Sequence, residues 1–427
     1  MRLRRLFVAN LVLIVSLLIY PKVTNAADYT LVPLAKFNYL NGSHPTGDLI
    51  SDGNGNIYGV TRGGGIGDSP GYGTVYKYSI SSNTITTVAA FQRVQTGIQP
   101  HYSGVYLDAA GNLFGTTRNG PSIAGNGDGT VFEVAAGTST ITTLVAFNGA
   151  NGQYPESSLV ADANGNLYGT TFQGGTNSLG TIFKIAADTH ELTTLASFNG
   201  TAADLPTGKL VIDSNGNIFG TSSNGGYGGY GAVFELAAGT NTLTSLVNFS
   251  GANGKYPLSG LTTDSAGNLY GVTSSGGLNS NGTVFKIDAV THAFTTIASF
   301  GLNNGKDPIG GLVVDASGNI FGTTSSNYDA YGTVFEIPAG TNNINTILEF
   351  HSSHMQSGKP ESGLYMAPNG DIFGTVPGTG GVSDYGQFFM LTTRHVPEAS
   401  SIVLAAIGVS MCGIPVARRL RGSGKQS

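Results

Sequence analysis

The chain has 427 residues, 65 of them glycine, and only 11% are charged, with a formal net charge of −5. So much glycine and so little charge exclude a helical protein, because glycine breaks helices and serves turns. The 40% of hydrophobic residues exclude a disordered linker. The single cysteine, Cys412, excludes an internal disulfide and a Cys/His metal cage. The composition therefore predicts a folded β-rich body of many short strands.

Residues 1–26 have the order of a secretory signal peptide. Arg2, Arg4 and Arg5 precede an apolar run over 6–20, and small or polar residues lead to a cleavage site near Ala26. The alternative is a signal anchor, but the run is shorter than the ~20 residues that span a bilayer. We expect an exported mature chain.

The middle of the chain repeats itself. An Asp-x-x-Gly-Asn sequence, followed by an apolar-aromatic-Gly triplet, returns at intervals of 51 to 56 residues. Its marks are Asn56, Asn112, Asn166, Asn217, Asn268, Asn319 and Asp371. A proline precedes each mark by 11 or 12 residues: Pro45, Pro100, Pro155, Pro206, Pro257, Pro308 and Pro360. A fixed period near 50 is typical of propellers, solenoids or arrays.

One copy divides into four strands. In the sixth, strands are predicted over 311–315, 319–324, 332–337 and 344–350, separated by turns or loops. Four antiparallel strands make one propeller blade. Residues 29–37 match a fourth strand, while the seventh copy stops after its third, so the first strand can close the ring. The sequence predicts an all-β, seven-bladed propeller of four-stranded antiparallel blades over 27–393; an open β-solenoid is the alternative.

Residues shared by all copies must serve what every blade needs. The repeated aspartates can accept backbone N–H bonds in a tight turn: Asp52, Asp108, Asp162, Asp213, Asp264 and Asp315. Calcium is the alternative, but one carboxylate per loop is far from the six to eight oxygens that this ion takes. The triplet aromatics are predicted to pack between blades: Tyr58, Phe114, Tyr168, Phe219, Tyr270, Phe321 and Phe373.

The pattern, with GTVFKI-like segments after each triplet, resembles the GloVer tandem-repeat family of choice-of-anchor surface proteins. The resemblance covers about residues 28–393. It implies a location at the cell surface and gives no activity.

Residues 394–427 have the tripartite order of a C-terminal sorting signal. Val396, Pro397, Glu398 and Ala399 precede an apolar stretch over 402–416, which the basic residues Arg418, Arg419 and Arg421 follow. This order resembles the PEP-CTERM signal, which implies a membrane-spanning helix and an exosortase-type sorting protease as partner. The second proline of that pattern is Ala399 here, and Pro415 interrupts the apolar stretch. The alternative is a plain C-terminal membrane tail with its arginines inside.

A ligand is expected on the propeller face that carries the long loops, because loops on a rigid scaffold usually carry binding residues. Tyrosine can stack on a sugar ring while its hydroxyl forms hydrogen bonds. The candidate binding residues are Tyr72, Tyr102, Tyr227, Tyr230, Tyr328, Tyr331 and Tyr385.

No catalytic motif stands out, and the sequence predicts neither enzyme activity, a metal nor a cofactor. Residues 1–26 and 394–427 each carry +4, so residues 27–393 carry −13, which disfavours nucleic acid as a partner. We therefore expect a non-catalytic, exported protein at the cell surface, tethered at least transiently to the inner membrane, that binds or organises extracellular polysaccharide or surface proteins. The alternatives are a purely structural surface component and a propeller glycoside hydrolase or lyase.

Overall fold

The computed structural model describes residues 29–65, 71–121, 127–327, 331–351, 359–378 and 384–393. These residues form seven four-stranded sheets, with neighbouring strands antiparallel. The predicted signal peptide and the predicted sorting signal with its helix lie outside the described residues. Within the described ranges, no helix is long and apolar enough to cross a membrane.

Each sheet is one blade. The strands of each blade are named in order from the one nearest the channel to the outermost one. Blade 1 contains β2 (Ser43–Ser51), β3 (Asn56–Gly63), β4 (Thr74–Ser79) and β5 (Thr84–Ala90). Blade 2 contains β6 (Tyr106–Leu107), β7 (Leu113–Thr117), β8 (Thr130–Val134) and β9 (Ile141–Ala146). Blade 3 contains β10 (Val160–Ala161), β11 (Leu167–Thr171), β12 (Thr181–Ile185) and β13 (Leu192–Ser197).

The remaining blades follow the same order. Blade 4 contains β14 (Asp204–Ile212), β15 (Ile218–Asn224), β16 (Ala232–Ala237) and β17 (Thr242–Asn248). Blade 5 contains β18 (Thr262–Thr263), β19 (Leu269–Thr273), β20 (Thr283–Ile287) and β21 (Phe294–Ser299). Blade 6 contains β22 (Val313–Val314), β23 (Ile320–Thr324), β24 (Thr333–Ile337) and β25 (Asn345–Glu349). Blade 7 contains β26 (Tyr365–Met366), β27 (Ile372–Val376), β28 (Gln387–Thr393) and β1 (Tyr29–Lys36).

The two ends of the body close the ring. β1 pairs antiparallel with β28, from Tyr29 opposite Thr393 to Lys36 opposite Gln387. The N-terminal strand therefore completes the last blade, as the sequence predicted, and the open solenoid is excluded. Because the ring is closed, every blade has a neighbour on both sides. A blade at an open end would be exposed and would favour aggregation.

The core consists of seven hydrophobic clusters, each between two neighbouring blades. At every interface, an aromatic residue that follows the outermost strand of one blade contacts an aromatic residue on the third strand of the next blade. In the interface of blades 3 and 4, for example, Phe198 and Phe234 lie with ring centroids 5.0 Å apart. The triplet aromatics also lie in these clusters, or pack against them, as predicted.

The glycine of each triplet lies against the third-strand ring of its own blade. A Cβ on Gly220 would come within 2.4 Å of the Phe234 ring and 2.7 Å of Leu210. The ring occupies the space of the missing side chain, so glycine is required by packing here.

The repeated aspartates close the turns between the first two strands of blades 1 to 6. Asp162 Oδ1 accepts the backbone N–H groups of Asn164 and Asn166, both at 2.9 Å, and its Oδ2 accepts the side-chain amide of Asn166 at 2.8 Å. The same pattern occurs at Asp213. These carboxylates accept hydrogen bonds from the residues of the turn itself. Among the described residues, no group of three or more His, Cys, Asp or Glu side chains could hold a metal ion.

Candidate functional site: the mouth of the central channel

Four of the predicted binding tyrosines occupy one structural position that recurs in every blade. Tyr72, Tyr230, Tyr331 and Tyr385 each stand before the glycine that precedes the third strand, and each packs against a cluster between blades. The carbonyl of this position accepts the backbone N–H of the residue before the next blade's proline, as from His44 to Tyr385 at 2.9 Å. These tyrosines thus lie around the ring, where they help to join neighbouring blades.

The other three tyrosines differ from these four. Tyr227 lies at the tip of a long loop, where 90% of its surface is exposed. Tyr102 lines a cavity in the central channel. Tyr328 lies outside the described residues. Of the six candidates among the described residues, Tyr102 is the one that lines a concave site.

The cavity lies in the channel, where it opens toward the long loops. Its volume is about 280 Å³, just below the range of about 300–1,000 Å³ that is usual for small-ligand pockets. Its walls come from the residues that follow the repeated prolines and from the ends of the second strands, among them Glu156, Phe172 and Glu361. Each blade can therefore present a different side chain toward the same space.

At this end of the inner strands the copies differ most. Directly after the proline, six copies have one variable residue and blade 2 has two. In chain order these residues are Thr46, His101 with Tyr102, Glu156, Thr207, Leu258, Ile309 and Glu361. Two residues further on, Gly or Ser stands in five copies, but Asp48 and Lys209 stand in blades 1 and 4. At or just after the end of the second strand come Arg62, Arg118, Phe172, Ser223, Ser274, Ser325 and Pro377.

Asp48 and Lys209 are aimed by irregular pairing of their strands. β2 and β14 have nine residues each, and their registers shift between Thr46 and Ile50 and between Thr207 and Val211. Such bulges re-aim side chains. Gly47 and Gly208, at φ 77° and 71°, permit the bend, since a Cβ on either would lie about 2 Å from backbone of the next blade.

The Asp48 carboxylate reaches across the channel. Its Oδ2 accepts a hydrogen bond from Ser158 Oγ of blade 3 at 3.0 Å. Its Oδ1 would lie 2.6 Å from a Cβ on Gly363 of blade 7 and 3.2 Å from one on Gly311 of blade 6. The glycines leave room for this side chain, which, with Lys209, forms a floor between the cavity and a second one below it.

A charged network borders the cavity at blades 1 to 3. Arg118 forms an ion pair with the buried Glu156 and lies 5.0 Å from the ring centroid of Tyr154. His101 Nδ1 lies 4.0 Å from Glu156 Oε1, and His101 Nε2 lies 3.4 Å from Arg62 Nη1. Burial raises the pKa of Glu156 although Arg118 opposes the shift. Burial and the two arginines lower the pKa of His101 to about 4, so its imidazole is neutral at neutral pH.

Tyr102 is held in an unusual backbone conformation. Blade 2 has one residue more than the other blades between its proline and its turn, and Tyr102, at φ 58°, lies in that longer stretch. Its ring contacts that of His101 at 3.8 Å. Left-handed non-glycine residues also stand directly before six of the repeated prolines, from His44 to Asp307, so this conformation alone does not mark a functional site.

Glu361 connects the cavity with a neighbouring pocket of about 310 Å³ between blades 7 and 1. That pocket is also lined by His44, Arg62 and Lys359. Burial raises the pKa of Glu361, although Arg62 and Lys359 oppose the shift.

The two halves of the mouth therefore differ in chemistry. Blades 7, 1, 2 and 3 supply the charged side chains of Glu361, Arg62, Arg118 and Glu156. The opposite wall, from Phe172 through Leu258 to Ile309, is largely apolar, with the hydroxyls of Thr207 and Ser223 between. Sequence reasoning selected Tyr102 but did not place a site in the channel, although an alignment of the copies on their prolines shows the varying positions.

The fold and this polarised channel define a tandem-repeat β-propeller with a candidate binding site at its axis. The family described as the Gloeobacter/Verrucomicrobia repeat matches residues 20–213 and 206–389. The chain belongs to this repeat family, in agreement with the resemblance in its sequence. A search of curated proteins finds no significant match.

Two solved structures are similar to this chain at low sequence identity. The extracellular domain of a one-component system from B. thetaiotaomicron matches with a TM-score of 0.56 and 12% identity, over 86% of this chain and 40% of that chain. This chain thus spans two fifths of that neighbour's length. A protein described as a 6-phosphogluconolactonase from Bacteroides fragilis gives a TM-score of 0.49 at 13% identity, over 76% of this chain and 89% of that chain. The first of these similarities shows the propeller fold alone.

Proposed function

We propose that this protein is an exported, non-catalytic binding propeller of the cell surface that takes extracellular polysaccharide into the mouth of its central channel. The observation that carries the proposal is the convergence of departures from the repeat on one cavity. Tyr102, Asp48 and Lys209 each stand where no other copy has the same residue. Glu156 and Glu361 occupy one position, which holds other residues in the remaining five copies, and all five side chains line the cavity. Residues not needed by every blade are free to serve a ligand.

The apolar wall and the acceptors opposite it suit a sugar. An aromatic or aliphatic surface can cover the C–H face of a sugar ring, while carboxylates accept hydrogen bonds from its hydroxyls. Export is supported by the basic, apolar and small-residue order of residues 1–26.

Binding of recombinant residues 27–393 to extracellular polysaccharide from the producing organism tests the proposal, because β1 closes the ring within this range. We expect saturable binding that Tyr102→Ala weakens at least about tenfold. Tyr227→Ala is the matched control, since that ring lies on a loop tip outside the cavity. Binding that depends on Tyr227 and not on Tyr102 would place the ligand on the loops and overturn the proposal, and absence of saturable binding would favour a purely structural role.

A hydrolase or lyase is the second candidate, because two carboxylates, Glu156 and Glu361, line one cavity and burial raises the pKa of each. Paired carboxylates are the usual catalytic groups of glycosidases. Incubation of the same polysaccharide with the protein, followed by assays for reducing ends and unsaturated products, separates the classes. Product that accumulates with the protein and not with Glu361→Gln would make this an enzyme.

A further inference from the structure

We infer that the ligand of the channel is an acidic oligosaccharide whose carboxylates are held by Lys209 at the cavity floor and by Arg62 and Lys359 in the adjoining pocket. This inference rests on the proposed function, because it names the ligand class for the same site.

The distribution of positive charge is the first argument. Residues 27–393 carry −13, yet contain 11 Lys and Arg residues, three of which are arginines. Four of the 11, Arg62, Arg118, Lys209 and Lys359, border the channel or its adjoining pocket. Three carboxylates, Asp48, Glu156 and Glu361, share this space. The four positive and three negative side chains leave a net charge of +1 there, against −13 for residues 27–393, and in such a negative body this makes a local site for an anion.

The pairing of these cations is the second argument. Glu156 neutralises Arg118. For Arg62, Lys209 and Lys359, no carboxylate of the described residues lies within 4 Å of the side-chain nitrogens. Arg62 contacts His101, which is neutral because its pKa is about 4. None of the three cations is therefore held in a close ion pair, although Arg62 and Lys359 interact with the more distant Glu361 carboxylate.

The other side chains of the cavity favour an acidic saccharide over other kinds of anion. Glu361 lines both the cavity and the adjoining pocket, so it lies between the two cationic positions. A carboxylate there repels another anion unless the ligand offers hydroxyl donors at that point. The apolar wall of Phe172, Leu258 and Ile309 matches the face of a sugar ring. A chain of uronate residues offers carboxylates, hydroxyls and ring faces together.

Calorimetric titration of residues 27–393 with defined oligosaccharides tests the inference. The probes are tetrasaccharides of galacturonate, of alginate and of hyaluronan, each compared with its carboxyl-reduced neutral form. We expect at least one acid to bind at least about tenfold more tightly than its neutral form, with an affinity that falls as salt rises.

Substitutions of single cationic residues test which of them hold the carboxylates of the ligand. Lys209→Gln and Arg62→Gln should each weaken the acid about tenfold and should weaken the neutral form less. Lys306→Gln removes a lysine that lines neither pocket and should change neither affinity. Equal binding of acidic and neutral forms, both weakened by Tyr102→Ala, would overturn the acidic ligand while the proposed channel site stands. Failure of all three acids would overturn the inference, and binding of the native polysaccharide then decides the proposed function separately.

Discussion

Each inner strand of this propeller runs between a tight turn on one face and the channel mouth on the other. At the turn, six copies have the same aspartate and the same hydrogen bonds, as shown by Asp162 and Asp213. At the mouth, the position after the proline ranges from Thr46 to Leu258 to Glu361. The copies agree at the turn because every blade needs this turn to fold. They differ at the mouth, which is expected if a single ligand contacts different blades through different side chains.

The largest effect is expected where packing leaves no freedom. Gly220→Ala would place a Cβ 2.4 Å from the Phe234 ring, and overpacking of this kind should cost about 3 kcal/mol of unfolding free energy. Urea denaturation monitored by tyrosine fluorescence measures it. Gly239→Ala is the control: its φ is 75° and nothing lies within 4 Å of the added Cβ, so about 1 kcal/mol is expected. Equal losses would refute the packing explanation.

The turn aspartates should make stability depend on pH. Burial tends to raise the pKa of Asp162, but hydrogen bonds from Asn166, Tyr168 and Asn164 outweigh it and lower the pKa below 3.8. A carboxyl whose folded pKa lies below its unfolded pKa stabilises the fold above the unfolded value, and this contribution disappears as pH falls through the folded one. Asp162→Asn should cost about 2 kcal/mol at pH 7.

Thermal melts between pH 7 and pH 2.5 test this prediction. The melting temperature of the native protein should fall below about pH 4, and that of Asp162→Asn should fall less. Parallel curves for the two proteins would show that this aspartate does not contribute to the acid loss.

The sequence was sufficient for the blades and not for the site. Seven copies allow their shared residues to be recognised, so the ring, its closure by β1 and the turn aspartates could all be predicted. Tyr72, Tyr230, Tyr331 and Tyr385 were selected by residue type, and their common structural position becomes visible only with the hydrogen bonds of its carbonyl. The channel joins residues that are distant in sequence: Asp48 and Ser158 are 110 residues apart. Only the closed ring brings them together.

One core position departs from the repeat without facing the channel. Tyr76 stands on the third strand of blade 1, where the other blades have phenylalanine, and its hydroxyl is buried without a hydrogen-bond partner. Tyr76→Phe should therefore raise the unfolding free energy by about 1 kcal/mol. Phe132→Tyr, the reverse change in blade 2, is the matched control and should lower it by a similar amount. A loss of stability in Tyr76→Phe would mean that the hydroxyl has a role in the core.

The smallest effect is expected at Lys209, although the side chain is central to the proposed site. Most other copies have Gly or Ser at this position, so Lys209→Ser returns blade 4 to the pattern of its neighbours and should change the unfolding free energy by no more than about 0.5 kcal/mol. Asp48→Ser is a less neutral companion, because it removes the acceptor of the Ser158 hydrogen bond. A loss of more than about 1.5 kcal/mol for Lys209→Ser would show that the lysine supports the fold, and divergence at the mouth could then no longer be taken as a sign of function.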